Sequence, residues 1–389
     1  MPNTTHVPWP PPAPAGAEAA AAGEAAPGHR RADAGHVLDL PGLRQRVDAA
    51  LDRFLDERAA ELRAIDPELD VQLDVVRSFV AGGKRLRPAF CFWGWRAAGG
   101  EADDPRIVTA SAALELLQTA AIVHDDVMDA SDTRRGRPSV HRQFASLHAT
   151  RRWGGPAEPF GIGAALLLGD LCLCWSDEML RGCGLPNDRL LAAFRYFDLM
   201  RTEVMAGQYL DLVNQAAGTS SLPAAMRVVR YKSAKYTVER PLHLGGVLAG
   251  ASPQLLAAYS AYGIPLGEAF QLRDDVLGIF GDPQVTGKPA GDDLREGKRT
   301  VLVAKTLEAA TPAQAERFRT CFGDRDLDSG GVAELRDVIV ATGALATVER
   351  LIAELTDAAS TALAKAPVAT EDPRSALGEL ARLATQRSG

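Results

Sequence analysis

Two groups of aspartates, far apart in the sequence, each follow an apolar segment. Asp125, Asp126 and Asp129 form the first group, and Asp274 and Asp275 form the second. On a helix, Asp125 and Asp129 lie one turn apart on one face. Carboxylates this close repel one another unless a cation offsets their charge, and hard oxygen ligands suit Mg²⁺, which also accepts phosphate oxygens. A solvent-facing acidic helix end is the simpler alternative, but it opposes the helix dipole, so the pattern favours a metal site.

Basic residues accompany both aspartate groups. Arg134 and Arg135 follow the first group, and Lys288 lies in the loop after the second. A further basic segment, 82–88, reads GGKRLRP, and its spacing does not match a Walker A phosphate loop. Guanidinium groups fork onto phosphate oxygens. The pattern therefore predicts two walls of one cavity, in which acids hold metal ions and bases hold the outer oxygens of a diphosphate.

The composition is that of an ordinary globular protein. Of 389 residues, 46% are hydrophobic and 24% charged, and the formal net charge is −7, which disfavours a nucleic-acid partner. The five cysteines lack paired-motif spacing and indicate buried free thiols in a reducing cytoplasm. The N-terminus lacks the pattern of a signal peptide. The apolar stretch 161–169 is too short to span a bilayer and is typical of a buried helix, so we expect a cytoplasmic protein without membrane insertion.

The first 37 residues differ in composition from the rest of the chain. Proline and alanine dominate residues 1–30, and such a segment cannot bury enough apolar surface to offset the entropy of ordering it. We therefore expect residues 1–37 to be disordered, either as an inert tail or, through the stretch 7–12, as a polyproline docking peptide. Residues 38–389 show helical periodicity almost throughout and predict a single all-α domain.

Apolar spacing locates the helices of this domain. Leu40, Leu43, Val47, Leu51 and Leu55 recur every three or four residues, as on one face of an amphipathic helix. The further predicted helices cover about 107–129, 160–182, 188–216, 222–250, 254–280, 300–310 and 332–365, and loops are predicted near 130–159, 217–223 and 281–299.

Five motifs in a fixed order identify the family that the chain resembles. The order is GGKRLRP, DDVMD with DTRRGRP, YKSAKYT, FQLRDDVLG and GKPAGDDLREGKRT. It resembles the trans-isoprenyl diphosphate synthases (polyprenyl synthetases), and most closely their bacterial geranylgeranyl branch, over roughly residues 40–365. The resemblance implies a large helical bundle around a deep central cavity, a homodimer, and head-to-tail condensation of an allylic diphosphate with isopentenyl diphosphate. In that reaction the allylic C–O bond ionises, the second substrate attacks the cation, and a proton is lost.

The resemblance also assigns roles to single residues. It implies three Mg²⁺ ions per active site, with Asp125, Asp129 and Asp274 as principal ligands and Asp126 and Asp275 in support. The matched substrate positions are Arg134, Lys232 and Lys288 for the allylic diphosphate, Lys84, Arg87 and Arg135 for isopentenyl diphosphate, and Gln208 and Gln271 at the reaction centre.

Three positions depart from the family pattern. Gln118 stands where the family often has a histidine in the isopentenyl diphosphate site, so that hydrogen bond carries no charge. Gly278 stands where the second group usually has a third aspartate, and one metal is then expected to be held through more water. Ser233 replaces the usual threonine and keeps the hydroxyl.

Product length depends on the residues that precede the first group. Ala121 and Ala120 lie four and five residues before Asp125, about one helical turn deeper, where short-chain family members carry a bulky aromatic floor. Two alanines leave that floor open and predict a product longer than C15, namely C20 geranylgeranyl diphosphate. Leu117 and the segment 166–174 are the candidates for the actual floor.

Two alternatives differ in class from this prediction. A class I terpene cyclase shares the helical fold and the first aspartate group, but Asp274 and Asp275 stand where cyclases carry an Asn/Ser/Glu motif. A cyclase also leaves the basic residues Lys84 and Arg87 unexplained. The other alternative is a synthase docked on a scaffold, or carried as cargo in an encapsulin shell, through its N-terminal tail.

Overall fold

The computed structural model describes residues 40–282 and 291–385. The predicted disordered tail, 1–37, and the predicted substrate residue Lys288 lie outside these ranges. The described helices are α1 Leu40–Ile65, α2 Asp70–Val80, α3 Leu86–Ala97, α4 Pro105–Met128, α5 Val140–Thr150, α6 Ala157–Arg181, α7 Asn187–Ala216, α8 Leu222–Val228, the π-helix Val229–Glu239, α9 Arg240–Ala249, α10 Pro253–Phe280, α11 Asp292–Arg295, α12 Val301–Ala309, α13 Pro312–Cys321, α14 Ser329–Ala341, α15 Ala344–Lys365 and α16 Glu371–Thr385.

The all-α prediction is confirmed, and most predicted helices are present. The predicted helix 332–365 is instead two helices, because Gly343 adopts a left-handed conformation (φ 73°) between α14 and α15. The predicted loop 130–159 contains α5 and a two-residue β-hairpin that sequence analysis missed. The described residues also include α2, α3, α13 and α16, which were not predicted, and α11 lies in the predicted loop 281–299.

Helix α4 is the central helix of the larger of two hydrophobic cores. The helix packs against α1, α3 and α6, and its apolar face is buried: Ala112, Leu116, Ala120 and Val123. Asp104 caps its N-terminus by accepting a hydrogen bond from the backbone N–H of Arg106. This packing fixes the end of α4, where the first aspartate group lies. The smaller core joins the C-terminal half of α10 to α12, α14 and α15.

Helix α6 differs from the prediction for the stretch 161–169. Gly161, Leu168 and Gly169 are buried, but Leu166 and Leu167 are exposed, so the stretch is only partly buried. By length and composition alone, α4 and α6 are both apolar enough to cross a membrane. The most apolar window of α4 is 72% buried in the fold, against 28% for α6. The apolar surface of α6 therefore requires an explanation other than the core.

A π-helix lies between α7 and α10 and carries the YKSAKYT motif. Close packing requires glycine on both sides: a Cβ at Gly207 would lie 2.4 Å from the backbone N of Lys232, and one at Gly267 would lie 2.5 Å from Ala234 Cα. The wider i→i+5 turn is uncommon and is frequent at functional sites. It fixes the position of Lys232 opposite the end of α4.

The β-hairpin pairs β1 (Thr133–Arg134) with β2 (Arg137–Pro138) in antiparallel register. Its two-residue loop, Arg135 and Gly136, has positive φ at both positions (54° and 72°). Such loops match the right-handed twist of the strands they join. Because the turn is tight, the side chains of the adjacent residues Arg134 and Arg135 point in different directions.

Candidate active site

The first aspartate group ends α4, and its carboxylates are paired with cations from other segments. Asp126 is fully buried and accepts a hydrogen bond from Arg134 Nε at 2.9 Å. Asp125 Oδ1 lies 3.2 Å from Lys232 Nζ. Burial alone would raise the pKa of Asp125, but Lys232, Lys298 and Arg134 outweigh it and lower this pKa to about 2. Asp125 is therefore ionised at neutral pH.

Lys232 also joins the first group to α7. Its Nζ lies 2.8 Å from Oδ2 of Asp211, a buried carboxylate that sequence analysis missed. Burial alone would lower the pKa of Lys232, but Asp125 and Asp211 raise it above its usual value. The available signal was Gln208, because a residue three positions before Asp211 shares its helix face. Asp211 is thus an additional acid at the site.

The second group has different surroundings. Asp275 is buried in α10 and accepts a hydrogen bond from Gln271 Nε2 at 2.7 Å. Burial raises the pKa of Asp275 to about 8, with repulsion from Asp293 and Asp274 adding to the effect and the Gln271 hydrogen bond opposing it. Asp274 is half-buried. One acid of this group therefore favours its neutral form near physiological pH.

Lys298, which sequence analysis left without a role, connects the two groups. Its Nζ lies 3.4 Å from Asp129 Oδ2, 2.7 Å from Glu296 Oε2 and 3.8 Å from Asp293 Oδ1. Burial alone would lower the pKa of Lys298, but these acids raise it well above its usual value. Asp129 is buried, and neither of its carboxylate oxygens makes a hydrogen bond. Burial, and then repulsion from Asp125, raise the pKa of Asp129.

Glycine at position 278 leaves room for a carboxylate from another segment. A Cβ built on Gly278 would lie 1.9 Å from Asp293 Oδ2 and 2.7 Å from its Cγ, closer than nonbonded atoms can approach. Asp293 lies in the first turn of α11, and its charge contributes to the raised pKa of Asp275. A third carboxylate therefore adjoins the second group, although the residue at 278 does not supply it.

We call Lys84, Arg87 and Arg135 the basic cradle. Arg87 Nη2 donates a hydrogen bond to Thr237 Oγ1 at 2.9 Å, and its guanidinium lies 4.4 Å from the ring centroid of Tyr236. Lys84 is exposed. The π-helix therefore contacts the cradle through its C-terminal half and the first aspartate group through Lys232.

The adjacent hairpin arginines point to different parts of the site. Arg134 contacts Asp126, whereas Arg135 Nη1 donates to the backbone carbonyl of Phe79 at 3.4 Å. Arg135 Nη2 also lies 3.8 Å from the position of a Cβ on Gly83, in the GGKRLRP segment. One arginine thus belongs to the aspartate groups and its neighbour to the cradle.

The uncharged residues predicted for the substrate site are partly or fully buried: Gln118, Gln208 and Ser233. Gln118 Oε1 and Gln208 Nε2 are buried and make no hydrogen bond. Because an unmade hydrogen bond of a buried polar atom is costly, these two atoms indicate a polar ligand. Ser233 is buried in the π-helix.

The residues predicted to set the length of the product differ in their burial. Ala120 and Leu117 are buried, and Ala121 is half-buried. In the segment 166–174, Cys172 is buried but Cys174 is exposed, so Cys174 is not a floor residue of this fold. All five cysteines are free, but the expectation that all are buried is wrong: Cys91, Cys172 and Cys183 are buried, Cys321 is half-buried and Cys174 is exposed.

The carboxylates fit a hard divalent cation. Among residues 40–282 and 291–385, no three acids, histidines or cysteines converge on one point as a ready metal cluster. Lys232 and Lys298 lie between the carboxylates instead. The donors are carboxylate oxygens, and the two oxygens of Asp129 lack a hydrogen-bond partner. This chemistry suits Mg²⁺ better than a thiolate-seeking metal.

Comparison with known proteins shows which family the sequence of this chain matches. Residues 71–339 match the model of the family described as polyprenyl synthetase. The geranylgeranyl diphosphate synthase of Saccharolobus solfataricus is 32% identical over 311 residues, covering 79% of this chain and 88% of that protein. The octaprenyl diphosphate synthase of Escherichia coli is also 32% identical, over 310 residues, covering 79% of this chain and 86% of that protein.

A solved structure extends the comparison to the fold. The geranylgeranyl pyrophosphate synthase from Corynebacterium glutamicum, complexed with isoprenyl diphosphate and magnesium, has a TM-score of 0.87 and 40% sequence identity, covering 90% of this chain and 100% of that one. The family match spans more than half of the chain. The chain therefore belongs to the polyprenyl synthetase family and is a transferase, a trans-prenyl diphosphate synthase.

Proposed function

We propose that this synthase is Mg²⁺-dependent and condenses an allylic diphosphate with isopentenyl diphosphate head to tail, giving C20 geranylgeranyl diphosphate. The observation that carries the proposal is the division between Arg134 and Arg135. Arg134 contacts Asp126 beside the aspartate groups, and Arg135 belongs to the separate basic cradle. Two cationic sites fit two diphosphates, and hence condensation. A cyclase, with one diphosphate, leaves the cradle without a substrate.

The residues of the first site would support ionisation of the allylic substrate. The hard step is separating a carbocation from a diphosphate, and fixed cations lower its barrier by stabilising the charge that develops on the leaving group. Arg134 and Lys232 are the described cations that we assign to this task, with Lys298 added by its position between the groups. When bound, Mg²⁺ ions, three by the family resemblance, supply Lewis-acid stabilisation of the same oxygens, held by Asp125, Asp129 and Asp274 with Asp126 and Asp275 in support.

The other residues would hold and orient the second substrate. The cradle, with Gln118, binds the diphosphate of isopentenyl diphosphate, and Gln208 and Gln271 adjoin the reaction centre. The released diphosphate accepts the proton, so no side-chain base is required.

The test is incubation of the protein with Mg²⁺, isopentenyl diphosphate and a C5, C10 or C15 allylic diphosphate. A C20 product supports the proposal, and no condensation with any starter, using folded protein, contradicts it.

The C20 product is supported by the small residues Ala120 and Ala121, and by relatives named geranylgeranyl diphosphate synthase. Relatives named octaprenyl and farnesyl diphosphate synthase lie in the same family.

We expect Ala120→Phe to shorten the product, because an aromatic ring at a buried position blocks a growing chain. Ala60→Phe, the same change at an exposed position of α1, is the matched control and should leave the product unchanged. An unchanged product in Ala120→Phe would show that the floor lies elsewhere.

We also infer a homodimer. Helices α6 and α7 expose large apolar side chains, among them Leu167 (64%), Leu191 (72%) and Tyr209 (67%). Apolar surface of this kind marks an interaction site, and a second copy of the chain is the occupant expected from the family. Leu167→Glu should convert the dimer to a monomer in sedimentation equilibrium, whereas Ile65→Glu, an equally exposed position (74%) on α1, should not. A monomeric wild-type protein would contradict the inference.

For the N-terminal tail we propose a docking role, to a scaffold or an encapsulin shell, in a cytoplasmic protein. The proposal depends on composition, since residues 1–37 lie outside the described ranges. Deletion of 1–37 should leave turnover within about twofold, because the catalytic motifs begin at residue 82. It should also abolish co-purification with the partner. Lost turnover in a folded protein would contradict it.

A further inference from the structure

A buried ion pair lies behind the basic cradle. Arg85, in the middle of the GGKRLRP segment, is only 5% exposed, and Glu115 of α4 is similarly buried. Arg85 Nη1 donates a hydrogen bond to Glu115 Oε2 at 2.6 Å. Burying two charges is costly unless they are paired and hydrogen-bonded, and the reaction proposed above uses neither residue. Any role for this pair in substrate binding rests on that proposed function.

Arg85 makes a dense set of contacts with three different segments. Besides Glu115, its Nε donates to Asp48 Oδ1 of α1 at 2.8 Å, and its Nη2 donates to the carbonyl of Val80 at 2.6 Å. Its backbone is left-handed (φ 52°, ψ 38°), where the segment turns into α3. Non-glycine residues rarely adopt this conformation unless their surroundings hold them there. The side-chain contacts thus fix the conformation of the turn between Lys84 and Arg87.

Glu115 is joined to the cradle through Arg85. Arg85 Nη1, which donates to Glu115, and Arg135 Nη2 of the cradle each lie 3.8 Å from the position of a Cβ on Gly83. Burial lowers the pKa of Arg135, and Glu115 opposes that shift. Burial also raises the pKa of Tyr236, whose ring lies under Arg87, and Glu115 adds to that shift. A carboxylate this near a diphosphate site repels the substrate unless its charge is offset, and the low polarity of the interior strengthens that repulsion.

We propose that Arg85 is a positioning residue for isopentenyl diphosphate. It offsets the charge of Glu115 and fixes the backbone that carries Lys84 and Arg87, so that the cradle presents a net positive charge to the second substrate. Arg85 does not itself contact the diphosphate, because its donors are directed at Glu115, Asp48 and Val80. The role predicts an effect on isopentenyl diphosphate alone. A purely structural role predicts loss of stability and equal effects on both substrates.

A double-mutant set separates the two roles. Arg85→Met and Glu115→Leu each leave a buried charge unpaired and should lower the Tm, whereas the double variant replaces both charges by apolar groups and should recover most of it. In Arg85→Met, which leaves the charge of Glu115 without its partner, we expect the KM for isopentenyl diphosphate to rise about tenfold or more, with kcat and the KM for the allylic diphosphate within about twofold of wild type. In Glu115→Leu, which removes that charge, the KM for isopentenyl diphosphate should not rise. Calorimetric titration with isopentenyl diphosphate should show the same weakening.

The outcomes decide the proposal. If the KM for isopentenyl diphosphate rises in Glu115→Leu as much as in Arg85→Met, following the loss of Tm in both, the pair is structural and the proposal fails. Arg85→Gln provides the measurement if Arg85→Met does not fold: it keeps hydrogen-bond donors but loses the charge, and an unchanged KM for isopentenyl diphosphate overturns the proposal. Lys84→Ala and Arg87→Ala test the proposed function separately. If they leave binding of isopentenyl diphosphate intact, the cradle itself is wrongly assigned; if they weaken it and the Arg85 variants do not, only the positioning role of Arg85 fails.

Discussion

The two aspartate groups have the same residue type and lie on apolar helices, but their neighbours differ. Around the first group, Lys232 and Arg134 form close ion pairs with Asp125 and Asp126. In the second group, Asp275 has an amide partner, Gln271. The pKa of Asp125 is lowered to about 2, whereas burial raises that of Asp275 to about 8.

This difference shows that sequence motifs of equal appearance need not carry equal charge. Asp125 is ionised before any ligand arrives, although burial raises the pKa of its neighbour Asp129. Binding of a divalent cation at the second group requires Asp275 to lose its proton, because metal ligands bind in their deprotonated form. Asp125 is therefore preorganised as an anion, whereas Asp275 is expected to respond to pH near neutrality.

Removing an ionised acid of the first group should have the largest effect. Asp125→Asn removes the partner of Lys232 and a proposed metal ligand, and we expect kcat to fall by about 10²–10³-fold. Steady-state kinetics at saturating Mg²⁺ measure the loss. Asp170→Asn, at an acid of α6 that is 67% exposed, is the control and should stay near wild type. A fall of less than tenfold in Asp125→Asn would remove the distinction between the two groups.

The sequence was sufficient for the all-α fold and for most of its long helices, and several predicted site residues lie together in the fold, among them Asp125, Asp126, Arg134 and Lys232. Regular apolar spacing marks α4, α6, α7 and α10, because each must bury a face against its neighbours. It was insufficient for Asp211 and Lys298, since neither stands in an aspartate group and their roles depend on which segments lie close together. Burial of Asp275 beside Asp293 is equally a tertiary property.

The sequence analysis also missed the β-hairpin and the break between α14 and α15, and each miss has a physical reason. The hairpin at Arg135 and Gly136 has strands of two residues, too short for an alternating pattern. The break at Gly343 is a single left-handed residue within a continuous apolar periodicity. The exposed face of α6 was interpreted as core because composition does not distinguish an exposed apolar helix face from a buried one.

A smaller effect should follow from disturbing the third carboxylate of the second group. Gly278→Ala places a Cβ where Asp293 Oδ2 now lies, so the carboxylate must move. We expect the Mg²⁺ concentration for half-maximal activity to rise about 10–100-fold, the range typical of groups that orient metal ligands. Metal-dependent binding of an allylic diphosphate analogue, followed by calorimetry, should weaken in parallel.

Gly163→Ala is the matched control for that substitution. Gly163 also lies in a helix, and a Cβ built there meets no atom within 4 Å. It should leave the Mg²⁺ dependence unchanged. If Gly278→Ala behaves like Gly163→Ala, Asp293 is not part of the second group.

The smallest effect, at most about a tenfold change in the unfolding equilibrium per pH unit, should be on the pH dependence of stability in the metal-free protein. Because the pKa of Asp275 is raised from 3.8 to about 8, the folded state holds this proton more tightly than the unfolded state, so the free energy of unfolding should fall as pH rises through that interval. The slope from this group is at most about 1.4 kcal/mol per pH unit. Asp275→Asn should flatten the dependence measured by denaturant unfolding in EDTA, while Asp188→Asn, at a residue 81% exposed, should not. Equal slopes for wild type and Asp275→Asn would mean that Asp275 is ionised as fully as Asp125. The contrast between the two acids would then rest on their neighbours and not on their charge.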